Sequence, residues 1–240
     1  MDNRTKHFAA LIDMDGVLYD SMKYHSLAWQ RMISELDIPC TREEFYLYEG
    51  MTGAATINLI FQRHFHRDCD PALIKELYAR KAKYFIEMGD KEPMPGADRM
   101  LKAFADAGWT RVLVTGSAQN SLISHLDTDY PGNFPADMRV TALDVTHGKP
   151  HPEPYLKGLG KAGVDAAHAI VIENAPLGVR AGKAAGCFTI AVTTGPVPRE
   201  YFERENADLI FPSMTELADA LPGIIRQREE SAAAGITAEQ

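Results

Sequence analysis

Two aspartates stand two residues apart in Ile12-Asp13-Met14-Asp15-Gly16, directly after a short apolar run. At the C-terminal end of a strand, such a pair points into the crevice where open α/β sheets bind ligands. Gly16 then lets the backbone turn sharply. The chemistry open to the pair is a division of labour. One carboxylate attacks phosphorus and becomes an aspartyl phosphate; the other gives a proton to the leaving oxygen and later takes one from water. A carboxylate attacking an anionic phosphoryl group meets charge repulsion, so a divalent cation is close to mandatory. Hard oxygen ligands select magnesium. The same residues also suit an Asx turn or a calcium-type loop, and the pair on its own leaves catalysis open.

Three further stations decide the matter together. Val114-Thr115-Gly116-Ser117 opens a helix, so a hydroxyl and free backbone N–H groups could cradle phosphate there. A plain helix N-cap is the competing reading. In Gly148-Lys149-Pro150-His151-Pro152-Glu153-Pro154, prolines stiffen the loop around a lysine that could neutralise both phosphate and nucleophile; a solvated surface lysine is the alternative. In Val171-Ile172-Glu173-Asn174-Ala175-Pro176, an acid and a side-chain amide could offer oxygens to a metal facing Asp13. A capping Asn beside a surface Glu would look the same. Four bland explanations in a row at four strand ends would be a coincidence.

The elements that must position these stations follow from hydrophobic pattern. Apolar runs rich in β-branched residues fall at 8–13, 111–115, 139–144, 169–173, 188–193 and, more weakly, 209–211. Runs of this kind suit central strands covered on both faces. Helical patterns at 96–107, 117–126, 152–162 and 177–185 separate them. Strand and helix in alternation predict an α/β fold with a Rossmann-like parallel sheet. From 21 to 93 the periodicity is helical throughout, for example at Tyr24, Leu27, Ala28 and Met32, so this block predicts a small inserted all-helical cap. The expected division is a core of 1–20 and 94–225, a cap of 21–93 and a flexible tail of 226–240.

Composition excludes several classes. With 45% hydrophobic and 24% charged residues the chain reads as an ordinary globular protein. A net charge of −8 without a dense Lys/Arg run argues against nucleic acid as a partner. Cys40, Cys69 and Cys187 are widely spaced and suggest neither a disulfide framework nor a zinc site. The polar start and the short apolar run after it predict neither a leader nor a membrane span, which leaves the cytoplasm and a monomer as expectations.

Taken together, these motifs closely resemble the haloacid dehalogenase superfamily and its β-phosphoglucomutase-like branch, over nearly the whole chain from Phe8 to Leu221. The resemblance implies a helical cap, Asp13 as nucleophile and Asp15 as general acid/base. It also implies Thr115 and Lys149 as phosphate ligands, beside Gly116 of the same cradle. Magnesium would be held by Asp13, the main-chain carbonyl of Asp15 and the fourth motif, Glu173 and Asn174. His25 and Trp29 match the branch's His-x-x-x-Trp cap signature.

Two departures bear on substrate. The second acid usual in the fourth motif is here Asn174, and Gly53, Ala54 and Ala55 stand where mutases of this branch carry an arginine for a distal phosphate. Without a guanidinium fork a second phosphate has little to hold it. Glu49 in the same cap loop could return the lost charge and bind metal when the cap shuts; a solvated loop Glu is the alternative. The set Tyr48–Asn58, with VTGS, GKPHPEPY and VIENAPLGV, looks especially like an inorganic pyrophosphatase of this branch. Pyrophosphate is therefore the leading expectation. A small sugar-phosphate phosphatase or a β-phosphoglucomutase is the alternative, and a non-catalytic phosphate-binding module the weakest reading.

Overall fold

In the computed structural model, which describes residues 7–117 and 120–234, a six-stranded sheet forms the core. Its strands are β1 (Ala9–Ile12), β2 (Thr110–Val114), β3 (Arg139–Val140), β4 (Ala169–Glu173), β5 (Phe188–Val192) and β6 (Leu209–Phe211). All pairings are parallel, in the order β3-β2-β1-β4-β5-β6. Central β1 is buried on both faces, which is why its sequence runs apolar without alternation. The period of two persists in what each side chain meets. Ala10 and Ile12 join the core under α5 (Ala97–Asp106) and α11 (Met214–Ala233), with Leu101, Phe104, Leu217 and Leu221. Ala9 and Leu11 face α8 (Glu153–Ala162) and α9 (Pro176–Ala184), with Tyr155, Leu159 and Ala181.

The stretch between β1 and α5 contains α1 (Met22–Ser34), α2 (Arg42–Leu47), α3 (Gly53–Phe65) and α4 (Pro71–Glu87). They pack around their own core of Trp29, Met32, Ile33, Phe45, Ile57, Ile60, Phe61 and Leu77. Local starts are well signalled. Thr41 and Glu44 form a reciprocal capping box, Thr52 accepts from Ala55 N–H, and Asp70 accepts from Ala72 and Leu73 before Pro71 opens α4. The chain enters and leaves this cap along two strands of linker that bond to each other: Asp20 N donates to Glu92 O at 2.9 Å and Met94 N to Leu18 O at 2.8 Å.

Three expectations need correction. The third strand ends at Val140 rather than Asp144, because Thr141 and Asp144 close a polar turn through Thr141 N to Asp144 Oδ2 at 2.7 Å. The helical pattern at 117–126 resolves into two single turns, α6 (Asn120–Ile123) and α7 (Leu126–Asp129), and its first residues partly lie outside the described ones. The segment from Arg226 is not a free tail as far as Ala233, since α11 runs through it. Trp109 Nε1 donates to Glu229 at 2.8 Å, and the Arg228 guanidinium lies 4.7 Å from the Phe188 ring. The end of that tail, 235–240, lies outside the described residues. Helix α10 (Arg199–Arg204) completes the set, and among the described residues no helix is long and apolar enough to cross a membrane.

Candidate active site

Asp13 follows β1 directly, and Lys149 reaches it from the loop before α8. Lys149 Nζ stands 2.6 Å from Asp13 Oδ1, 2.5 Å from Glu173 Oε1 and 3.0 Å from the Val114 carbonyl. The three side chains are almost wholly buried. An ammonium that is buried with three acceptors is fully satisfied, and its two carboxylates hold its pKa above the usual lysine range against the cost of burial. Burial pushes the Asp13 carboxyl up to about 8, with Lys149 opposing and Glu173 and Asp15 adding to the rise. An aspartate in that state is a poor nucleophile near neutral pH. A further cation would restore it.

Glu173 was expected to ligate metal; the structure gives its oxygens other work. Oε1 accepts from Lys149 and from Tyr155 Oη at 2.6 Å, and Oε2 accepts the backbone N–H groups of Asn174 and Ala175 at 3.0 and 3.1 Å. The carboxylate thus anchors Lys149 instead of facing an open position. Gly178 in the first turn of α9 makes the room, for a Cβ there would lie 1.9 Å from Glu173 Oε1.

Asp15 is held from the cap side. Ser21 Oγ donates to Asp15 Oδ1 at 2.5 Å and His25 Nε2 lies 2.9 Å from the same oxygen. His25 Nδ1 lies 2.6 Å from Lys81 Nζ. A lysine ammonium can only donate, so Nδ1 accepts and Nε2 carries the proton toward Asp15. Burial and Lys81 both depress the imidazole, and burial brings Lys81 down to about 8. Although burial opposes it, the partnership of His25 and Ser21 holds the Asp15 carboxyl below the ordinary aspartate range. This arrangement keeps Asp15 in its base form. Ring stacking on Phe85, at 4.1 Å between centroids, fixes the imidazole further.

The cap is closed over the site. The crevice shared by Asp13, Asp15, His25, Glu49, Lys81, Thr115 and Gly116 encloses about 30 Å³, room for roughly one water. Thr115 is buried, and its Oγ1 accepts the Ser117 N–H at 3.0 Å. Gly116 is pressed against the cap loop, where a Cβ would sit 2.7 Å from the Gly50 carbonyl. Glu49 is half-buried in this seam. Burial first, then Asp15, raises its carboxyl well above the glutamate range, partly offset by Lys81. Behind it, Gly53 touches the Tyr78 ring so closely that a Cβ would fall 2.1 Å from it.

A divalent cation fits these residues. Four carboxyl groups, Asp13, Asp15, Glu49 and Glu173, crowd around two ammonium groups, Lys81 and Lys149, and Asp13 and Glu49 are pushed toward their protonated forms, so a further cation would let them ionise. Asn174 is buried with neither its Oδ1 nor its Nδ2 hydrogen-bonded, and it packs against the Asp13–Gly16 turn, where a Cβ on Gly16 would lie 1.9 Å from Nδ2. A buried amide without a partner is costly, and its carbonyl oxygen is a ligand magnesium accepts. Of the residues singled out in the sequence, Asp13, Asp15, Lys149, Thr115, Gly116, Glu49 and His25 are brought to this crevice and Asn174 stands beside its floor. Ser21, Lys81 and Tyr155 were missed. Ser21 directly follows the motif and was legible as a short polar neighbour, but Lys81 sits in a charged helix and Tyr155 in an apolar pattern, with no local signal.

Comparison with known proteins bears on the family of the chain. Hexitol phosphatase A of Escherichia coli is 29% identical over 211 residues, covering 86% of this chain and 91% of that protein. Glycerol-1-phosphate phosphohydrolase 2 of Saccharomyces cerevisiae is 30% identical over 217 residues, 84% of this chain and 80% of that protein. A solved structure from Bacteroides vulgatus, described as a candidate beta-phosphoglucomutase, superposes with a TM-score of 0.87 at 42% identity, covering 96% of this chain and 91% of its own. The sequence model of the haloacid dehalogenase-like hydrolases matches residues 10–192. The chain therefore belongs to the haloacid dehalogenase-like hydrolase family, in the branch of the β-phosphoglucomutases and their phosphatase relatives.

Proposed function

We propose that this protein is a magnesium-dependent phosphohydrolase that passes a phosphoryl group to Asp13 and then to water, acting on a small phosphate monoester of the sugar- or polyol-phosphate kind. The observation that carries the reading is the buried Lys149–Asp13 contact of 2.6 Å at the crevice shared with Asp15. Lys149 orients the nucleophile and offsets charge as phosphorus approaches. An Asp13 oxygen bonds to phosphorus, the bond to the leaving oxygen breaks, and that oxygen takes a proton from Asp15, which must have gained it from solvent before the cap shuts, against the bias of His25 and Ser21 toward the ionised form. Asp15 is then the base that His25 and Ser21 favour, and it takes a proton from the water that cleaves the aspartyl phosphate. Asp13, Asn174, the main-chain carbonyl of Asp15 and, with the cap shut, Glu49 would hold the magnesium ion. Bound there, the ion would supply charge neutralisation and keep Asp13 ionised.

Hydrolysis is favoured over mutase chemistry by Tyr78. Its ring occupies the space over Gly53, so the cap offers no cationic fork at that position for the distal phosphate of a bisphosphate. The relatives described above are named for hexitol phosphate, glycerol 1-phosphate and a mutase, and none is named for pyrophosphate. This departs from the leading expectation of the sequence. Pyrophosphate remains a second reading on one observation: the lid over the crevice contributes an acid, Glu49, which suits a compact, metal-laden anion.

Steady-state assay with magnesium across hexitol phosphates, glycerol phosphates, β-glucose 1-phosphate and pyrophosphate separates the readings. A monoester with the highest kcat/KM supports the first, and pyrophosphate exceeding every monoester replaces it with the second. Asp13→Asn lowers turnover by more than about 1000-fold on whichever substrate wins. Retention of activity in that variant would place the chemistry elsewhere.

A further inference from the structure

On the outer side of the loop that carries Lys149, His147, His151 and Glu153 bring three metal-ligating side chains together, with ligand atoms all within 4.8 Å of one another. The two imidazole rings lie 4.8 Å apart at 35°. His147 Nδ1 stands 3.2 Å from Glu153 Oε2. Both histidines are exposed and Glu153 is half-buried. The group is built on a braced turn. Glu153 accepts the Thr146 and His147 N–H groups at 2.9 and 2.8 Å, and His151 N donates to Gly148 O at 3.0 Å. Phosphoryl transfer uses none of these three side chains.

We propose that His147, His151 and Glu153 form an accessory site for one divalent transition-metal ion of the zinc, nickel or copper class, separate from the magnesium of the crevice. Two imidazole nitrogens and one carboxylate select such ions, whereas magnesium prefers oxygen ligands and retained water. Zinc–nitrogen bonds of about 2.0–2.1 Å place tetrahedral ligands about 3.3 Å apart. The three ligand atoms must therefore draw in by roughly 1.5 Å from their outer spacing, a movement that exposed side chains make by rotation. The ion takes the place of the proton between His147 Nδ1 and Glu153 Oε2, which a neutral ring then carries on Nε2 and a protonated ring gives up to solvent. His151 joins at the cost of the Glu153 N–H that its Nδ1 now accepts at 3.1 Å. Water completes the shell. Lys157 Nζ stands 3.0 Å from Glu153 Oε1, which leaves Oε2 as the carboxylate oxygen that turns to the ion.

The two histidines bracket Lys149 in sequence. An ion gripping both sides of that lysine would brace its loop from outside the crevice.

The test is calorimetric titration of zinc into the purified protein with magnesium in large excess, repeated with cobalt(II) followed by its visible absorption. Wild type should bind one equivalent in each titration. His147→Ala and His151→Ala should each weaken binding at least about tenfold, their combination should abolish it, and Asp13→Asn should leave it unchanged. Because both histidines are exposed, the zinc-free variants should melt with wild-type protein, and hydrogen exchange of amides 146–151 should slow on zinc binding in wild type alone. Wild type that binds no zinc, a double variant that binds it as wild type does, or loss of binding in Asp13→Asn would each overturn the proposal.

Discussion

Lys149 joins Asp13, the proposed nucleophile, to its scaffold, and the residues around it show how unequal the contributions of buried charges are. Lys149 has two carboxylates and a carbonyl within 3.0 Å, whereas Lys81 has one imidazole nitrogen and feels Glu49 and Asp15 only through space. Replacing a whole buried ion pair by apolar residues can be neutral, but removing one partner leaves the others uncompensated. Lys81→Met should therefore lower the melting temperature, because Asp15 and Glu49 lose a cation, while it frees His25 Nδ1 and lowers kcat by on the order of 10². Thermal melts beside steady-state kinetics check both effects. Glu153 offers a pH test. Backbone N–H groups of Thr146 and His147 hold its carboxyl down to about 2, from an unfolded value near 4.5. Its ionised form therefore favours the fold above pH 4.5, and that advantage fades as pH falls toward 2. The stability gap between wild type and Glu153→Gln should shrink over that window and stay constant above it, as read by urea melts across pH. At this scale the sequence was informative where chemistry is local. Asp13, Thr115 and Asn174 each directly follow a strand and Lys149 stands in a proline-rich loop, while Lys81 reaches the site from a helix 66 residues beyond Asp15, and nothing in its neighbours marks it.

Among the elements, strands were legible because both faces are covered, so β1, β4 and β5 are simple apolar runs. Edge strand β3 was overestimated because Val140-Thr141-Ala142-Leu143 looks β-prone, yet the ladder stops where Thr141 turns to Asp144, and Leu143 is 80% exposed. The end of α11 was underestimated for the opposite reason. Arg226 to Glu230 is charged, and charge alone reads as solvated, but Trp109 needs a partner for its buried indole N–H and Glu229 is that partner. Ending the chain after Arg226 should then cost about 1–3 kcal/mol in a denaturant melt, with little change in kcat. An unchanged midpoint would mean that those last turns do not hold the core.

For the whole molecule, the closed seam governs access. The Gly50 carbonyl rests on Gly116, Thr52 lies against Gly148, and the crevice they leave beside Asp13 and Asp15 has only about 30 Å³ of room. Opening must precede binding, with Tyr19–Ser21 and 93–96 as the proposed hinges. A Cβ at position 116 would strike the Gly50 carbonyl at 2.7 Å. Gly116→Ala should therefore favour the open form, with a larger radius of gyration in solution scattering than wild type and a fall in kcat/KM. Equal radii in the free and beryllofluoride-loaded states of wild type would count against cap motion. The linkers that enter and leave the cap are bonded side by side, through Asp20 to Glu92 and Met94 to Leu18. Two tethers fused into one strip give a jaw a single axis to swing on. Glu49, Lys81 and His25 belong to the same piece, so on the proposed hinge acid, ammonium and imidazole would reach Asp13 in one stroke, and the same movement would shut out water.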